Sequence, residues 1–423
     1  LRDSIKFNST PSIAELNSLT VTNAGKMQLV GNTNLTLKLK TTGVIRLKTG
    51  AELVTNSRHV DLYGTIDSLA DGNIVSDPAT RLRVNGSANV IGYLKFKPGH
   101  DVGKSLKLNR NTQGSVRLGS PLTVLDSLVM NSGILYTSST NLLTVAENAK
   151  LVGFGSASNY IDGPVMKQFK SGTAEFLFPV GKNGRFRPVN VVNEGGNALT
   201  AEYFNFGAAP LFNTNNIDGN PMEVKNLEYW MIQPPAPSPG QNATFTFNWG
   251  PESGITEQNN IMMRLRIAAW QADKQQWKEI GPMASNAGGS AQEGSITSDA
   301  TNLFGPFTFG ILDNAALPVE LLEFSATPVQ EDVLVKWTTV SEINNDFFEV
   351  YRSKDAMQFT PIGRVNGAGN ANQVIKYEFL DPMAARQGSE VLYYKLRQVD
   401  FNGEFSDSEI VPDQFEQSGS FKL

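Results

Sequence analysis

The chain has no cysteine. Disulfide frameworks, thiolate metal sites and a cysteine nucleophile are therefore excluded. Histidine is almost absent as well, with His59 and His100 alone, too few for a histidine-rich catalytic zinc set. No apolar run approaches the roughly 20 residues that a membrane-spanning helix needs. There is no Gly-x-Ser-x-Gly elbow, no Gly-x-x-x-x-Gly-Lys-Ser/Thr phosphate loop and no Asp-x-Asp-x-Asp-Gly calcium loop. Positive charge is not in excess: 36 Lys and Arg face 41 Asp and Glu, a formal net charge of -5. Such a chain has no field to draw in phosphate backbones or anionic lipid, so nucleic acid and membrane surfaces are poor partners. The first residue is Leu1, without a Met, a basic n-region or an apolar h-region. A signal peptide already removed, or a fragment, is the expectation.

Long helical periodicity is missing too. In its place are short alternating apolar segments bounded by Gly, Asn, Asp and Ser, with 38 Gly and 21 Pro in 423 residues. That is the pattern of many short strands joined by tight turns, in a chain long enough for two to four domains. Residues 1–155 repeat one theme. Gly25, Gly43, Gly114 and Gly133 each precede a short apolar strand such as Gly43-Val-Ile-Arg-Leu47, with Leu35-Thr-Leu-Lys-Leu39, Leu82-Arg-Val84 and Leu106-Lys-Leu108 between them. Gly25 to Gly43 is 18 residues and Gly114 to Gly133 is 19. Rungs of that length predict a β-solenoid-like stalk that buries one row per strand; an irregular β-sandwich is the rival.

Residues 156–316 lose the glycine beat and gain aromatics. Phe245, Phe247 and Trp249 alternate with Thr, and Met263, Leu265, Ile267 and Ala269 alternate likewise, which predicts a half-buried antiparallel strand pair in a β-sandwich. Ser285-Asn-Ala-Gly-Gly-Ser290 reads as a loop and Pro234 to Pro239 as an extended polyproline stretch. Residues 317–413 predict an immunoglobulin-like or fibronectin type III-like sandwich. Trp337 sits buried on one strand, and Tyr394 lies on Val391–Val399, placed to act as a tyrosine corner. Asp400-Phe-Asn-Gly403 is a hairpin turn, and residues 414–423 are a polar tail. The expected fold class is thus all-β, a solenoid-like stalk followed by β-sandwich domains.

Three strings carry a resemblance: Leu317-Pro-Val-Glu-Leu-Leu-Glu-Phe-Ser-Ala326, Val335-Lys-Trp-Thr-Thr-Val-Ser-Glu-Ile-Asn-Asn-Asp-Phe-Phe-Glu-Val350 and Tyr393-Tyr-Lys-Leu-Arg-Gln-Val-Asp-Phe-Asn-Gly403. Together they resemble the fibronectin type III-like module that precedes the C-terminal sorting domain in cargo of the Bacteroidota type IX secretion system. The likeness covers about residues 317–412. Phe176-Leu-Phe-Pro-Val-Gly-Lys182 and Gly305-Pro-Phe-Thr-Phe-Gly310 are similar to companion regions of such surface proteins. The resemblance implies export by that machinery and an extracellular or cell-surface location, but no particular activity. The sorting domain expected near Phe421-Lys-Leu423 is absent, which implies a product cleaved after export or a truncated chain. Asp3-Ser-Ile5, Asp67-Ser-Leu69 and Asp126-Ser-Leu128 resemble the O-glycosylation sequon of the same bacteria, which implies Ser4, Ser68 and Ser127 as acceptors.

The search for chemistry gives few convergent groups. His59-Val-Asp61 puts two polar side chains on one strand face and Gly99-His-Asp101 lies in a turn; either could ligate a metal with one more partner, but exposed strand and loop residues are the favoured reading. Gly181-Lys-Asn-Gly-Arg-Phe-Arg187 is read as a turn with exposed charges. Glu175, Glu202 and Glu228 are read as outward-facing charges, although a glycosidase-type pair need only be close in space. Trp230, Trp249, Trp270 and Trp277 are core before they are a sugar platform. Lys95, Lys97, Lys104, Lys107, Arg110 and Arg117 form a solvated basic face. With no catalytic, metal or cofactor set, the expectation is a non-catalytic exported surface protein that self-associates through β edges into a filament, sheath or layer. The alternative is an adhesin that binds polysaccharide or another glycan ligand; a β-helical polysaccharide-degrading enzyme comes third.

Overall fold

The computed structural model describes residues 2–6, 13–21, 25–30, 36–40, 43–66, 72–86, 92–110, 114–236, 240–255, 264–281, 287–290, 292–312, 321–340, 342–371, 373–388, 391–401, 403 and 405–414. It is 59% strand and 2% helix, with a β-solenoid of about five turns in residues 19–167. Two compact units are present: one holds residues 1–219, 223–256 and 266–310, the other residues 220–222, 257–265 and 311–423.

The solenoid forms because its strands alternate with period two and stack in parallel register. On the broadest sheet, Thr36–Leu39, His59–Leu62, Arg81–Gly86, Val102–Arg110 and Leu122–Ser132 are neighbours in that order. Leu37, Val60, Leu82, Leu106 and Leu128 make one inward ladder, and Leu39, Leu62, Val84, Leu108 and Met130 a second. All ten are buried. Each such side chain contributes about 1.5–3 kcal/mol by leaving water, and no single rung could bury its own face. Glycines permit the corners. The Thr65 amide donates to the Gly43 carbonyl at 3.0 Å, and a Cβ on Gly64 would overlap that same carbonyl. Gly133 has φ 101° and packs against the Gly114 carbonyl and the Arg110 side chain, where a Cβ would collide.

Parallel pairing runs on past residue 155. Val165–Lys167 pairs in parallel with Leu143–Val145 on one side and antiparallel with Leu199–Phe204 on the other. One sheet therefore passes from solenoid into sandwich. Its later members are Leu199–Phe204, Tyr229–Gln233, Gly305–Leu312, Leu265–Gln271 and Gln276–Glu279. The facing sheet holds Ala174–Phe178, Val189–Asn193, Ala243–Trp249, Gly294–Thr297 and Ala287–Gly289. Between them, Phe245 and Phe307 stand 4.8 Å apart, Trp230 and Phe247 4.9 Å, and Trp249 and Phe309 6.1 Å.

Two sequence expectations change here. Ala243–Trp249 and Leu265–Gln271 lie on different sheets rather than pairing, and the second is buried along both faces. Alternation reports one covered face and cannot report the other. Ala287–Gly289, expected as loop, pairs antiparallel with Gly294–Thr297, because a short hairpin satisfies its main chain whatever the side chains.

In the second unit, Leu321–Val329, Asp332–Thr339 and Ile375–Asp381 form one sheet. Glu342–Ser353, Thr360–Ala371, Val391–Asp400, Phe405–Asp407 and Val411–Gln414 form the other. Trp337, Phe348, Val350, Leu392, Tyr394 and Leu396 close the core, with Trp337 stacked on Tyr377 at 5.4 Å.

Candidate functional site

Residues on the outer side of the broad solenoid sheet follow the same register as the core. With Leu37, Val60, Leu82 and Leu106 inward, their neighbours in sequence must point out. Lys38, Asp61, Arg83 and Lys107 thereby become one row on four successive rungs. Thr36, His59, Arg81, Ser105 and Ser127 become the adjacent row. Arg81 Nη1 lies 2.8 Å from His59 Nε2. Guanidinium can only donate, so Nε2 accepts and the imidazole is neutral with its proton on Nδ1. Burial first, then Arg81 and Arg83, holds His59 below its ordinary pKa. Arg83 stands 3.7 Å from Asp61. Asp61 is 7% exposed and its Oδ1 has no hydrogen-bond partner. Burial pushes its carboxyl above the ordinary value, against the pull of Arg83, His59, Lys38 and Lys107. His59 and Asp61 do share a face, and arginines fill the space beside them. No group of three metal-ligating side chains occurs among the described residues.

The expected basic face divides. Lys107 belongs to the row above. Lys97 pairs with Glu52 at 2.6 Å, and Arg117 lies over the Tyr136 ring at 4.3 Å. Arg110 corrects the reading outright: it is fully buried, not solvated. Its Nη1 donates to the Asn85 carbonyl at 2.7 Å, while Nε and Nη2 have no hydrogen-bond partner.

At the solenoid's last turn, Lys167 takes the inward position below Val124 and Val145. Its Nζ donates to the carbonyls of Ala146 at 2.7 Å, Glu147 at 2.9 Å and Ala149 at 3.4 Å, and lies 5.1 Å from the centre of the Phe176 ring. Burial pushes its pKa down to about 8. A cleft of about 690 Å³ opens beside it between Lys150–Val152 and Ala174–Phe178.

Three deeply buried carboxylates are cross-links. Glu228 was expected to face outward and is instead 1% exposed. It accepts from Arg187 Nε at 3.2 Å, from Tyr203 and from Ser253. Arg187, expected as an exposed turn charge, is thereby also buried. The turn itself is formed by Asn183 and Gly184, both with positive φ. Glu342 accepts from Thr339 at 2.8 Å, Asn345 at 2.8 Å, Tyr377 and the Ala368 amide at 2.8 Å. Asp381 accepts from Arg352 and, at 2.8 Å, from Tyr394. Tyr394 thus bonds a carboxylate on the opposite sheet and not the backbone, as a tyrosine corner would. Of the remaining acids, Glu175 accepts from Asn190 at 2.7 Å, and Glu202 shares Lys182 with Asp162. Sequence reading missed the networks because their partners are distant in the chain; the one local signal was Glu342 three residues after Thr339 and three before Asn345.

The other singled-out residues are placed as follows. Trp337 is 1% exposed, and Trp230, Trp249, Trp270 and Trp277 are all buried. Gly25 lends its carbonyl to the Glu52 amide, as Gly114 does to Ile134. Ser127 lies in the His59 row, its hydroxyl 3.2 Å from Asp126 Oδ2. Ser4 lies opposite Gln28 on a strand whose side chains are outside the described residues; Ser68 and Phe421–Leu423 are outside them altogether.

No family model and no curated protein matches the chain. Among solved structures, the crystal structure of a beta-1,2-glucanase from Parabacteroides distasonis is similar at 14% identity and a TM-score of 0.15. The likeness covers 51% of this chain and 36% of that one, so the chain spans about a third of the length of that protein.

Proposed function

We propose that the chain is an exported, non-catalytic structural protein of the cell surface. The observation that supports this reading is the strand Val165–Lys167, which belongs to the solenoid ladder and to the sandwich sheet at once. A shared strand leaves no linker, so the first unit bends only by breaking sheet hydrogen bonds. Stiffness of that kind suits a spacer or scaffold. The internally bonded carboxylates Glu228, Glu342 and Asp381 fit the same role, since each holds strands together and none is an open acid or base. The type IX secretion machinery, implied by the resemblance of residues 317–412, is the proposed export route.

Self-association is proposed through strand edges. Thr360–Ala371 is twelve residues long and ends its sheet, paired among the described residues with Glu342–Ser353 alone. Such an edge is a template for a second chain, although register shifts against its neighbour roughen it. Light scattering over a range of concentrations tests this directly. Growing oligomers are expected; a monomer at every concentration would remove self-assembly. Hydrogen exchange tests the stiffness: Val165–Lys167 amides should exchange only with global unfolding of their unit, and early exchange there would sink the spacer reading. An adhesive role is the second reading, favoured by the cationic rows of the solenoid.

A further inference from the structure

We propose that the outer face of the broad solenoid sheet binds an acidic polysaccharide laid across the strands, with Lys38, Arg83 and Lys107 taking its anionic groups. Rungs of one sheet lie about 4.8 Å apart, so the register sets these cations on a line at the first, third and fourth of four rungs. Arg81 adds a cation in the neighbouring row. Three basic side chains, Lys38, Arg83 and Lys107, therefore act on one carboxylate, Asp61, in a chain whose net charge is -5. The placement concentrates positive charge where the whole molecule has a deficit. Arg83 keeps 46% of its side chain exposed while 3.7 Å from Asp61, so its guanidinium is both anchored and accessible. Guanidinium matches carboxylate and sulfate oxygens with paired donors, and Lys107 adds a point charge.

The neighbouring row decides the polymer class. Thr36, His59, Ser105 and Ser127 offer hydroxyl and imidazole groups in register beside the cations. Those groups suit the hydroxyls of a sugar chain. A nucleic acid would call for aromatic platforms on which bases stack. Among the described residues the ring that meets this row is Tyr63, which Lys38 covers at 5.2 Å.

Biolayer interferometry on the whole chain tests the assignment with four named probes: polygalacturonate, chondroitin sulfate, neutral dextran and single-stranded DNA. Binding of polygalacturonate or chondroitin sulfate that weakens with added salt is expected; polygalacturonate at least as tight shows that carboxylate suffices, and tighter chondroitin sulfate, which carries both groups, shows that sulfate adds to it. Arg83→Gln with Lys107→Gln should weaken that binding roughly tenfold or more. Lys107→Gln alone, at a position with no structural hydrogen bond among those described, should weaken it to a smaller degree and guards against a folding defect. Asp61→Asn should strengthen it a few-fold by removing the repelling carboxylate. Equal binding of dextran, tighter binding of DNA, or a double variant that binds like the parent would overturn the proposal.

Discussion

Arg110 shares its parity with Leu106 and Leu108, and parity alone sends it into the solenoid. Reading it as a surface cation followed its chemistry instead of its position. Inside, one nitrogen finds carbonyls while two do not, and burial lowers its pKa. A buried charge without a counter-charge costs more than a well-packed apolar group of similar length. Arg110→Met should therefore stabilise the first unit, by about 1–3 kcal/mol, seen as a higher urea midpoint; a lower midpoint would mean that the carbonyl contacts dominate. Asp413 makes a comparable case with a pH signature. It is 1% exposed, neither oxygen has a hydrogen-bond partner, and burial, then Asp381, pushes its pKa up to about 6 from an ordinary 3.8. A raised carboxyl means that the folded state holds a proton that the unfolded state has lost. Stability then falls as pH rises from about 4 through about 6 and stays lower above. Asp407 works in the opposite sense: Arg397 and then Lys395 hold it down at about 2, so its contribution is lost as pH falls below 4 toward 2. The second unit should be most stable near pH 4–5. Asp413→Asn should raise its melting temperature at pH 7 by the equivalent of about 1–2 kcal/mol and leave it unchanged at pH 4. An equal gain at both values would assign the effect to packing. Trp337→Ala should cost the same unit about 3–5 kcal/mol.

At the scale of elements, the turn around Lys167 has the most to lose. Three carbonyls converge on one amine, and an apolar side chain would leave them without their donor. Lys167→Met should destabilise the first unit by about 1–3 kcal/mol, measured by its denaturant midpoint, and raise exchange at the Ala146–Ala149 turn. The period-two alternation and the glycine beat made the solenoid legible, because each rung repeats the same local rule. The strands of the second unit were legible for the same reason: Val333, Val335 and Trp337 alternate, as do Leu392, Tyr394 and Leu396. Leu265–Gln271 was not, since a strand covered on both faces has no polar side to announce itself. The candidate face was half legible. His59 and Asp61 lie two apart and had to share a side, but Lys38, Arg83 and Lys107 join them through a register that follows from rung lengths no local pattern states.

At the scale of the molecule, the two compact units have separate cores. Calorimetry should resolve two transitions, with Arg110→Met and Lys167→Met moving one and Asp413→Asn and Trp337→Ala moving the other. A single transition shifted by all four variants would show that the units unfold together. Val165–Lys167 has one more consequence, concerning how the chain acquires its structure. A parallel rung has no local hairpin to start it, so winding needs a strand already in place. The sandwich, built from antiparallel neighbours, supplies that strand. We expect coils to be laid down from Val165–Lys167 backward toward the N-terminus, each using the previous one as its template. Removing early rungs should then leave the later ones able to wind, whereas disabling the seed strand should leave the whole stalk unwound, a difference visible in pulse-labelled hydrogen exchange during refolding.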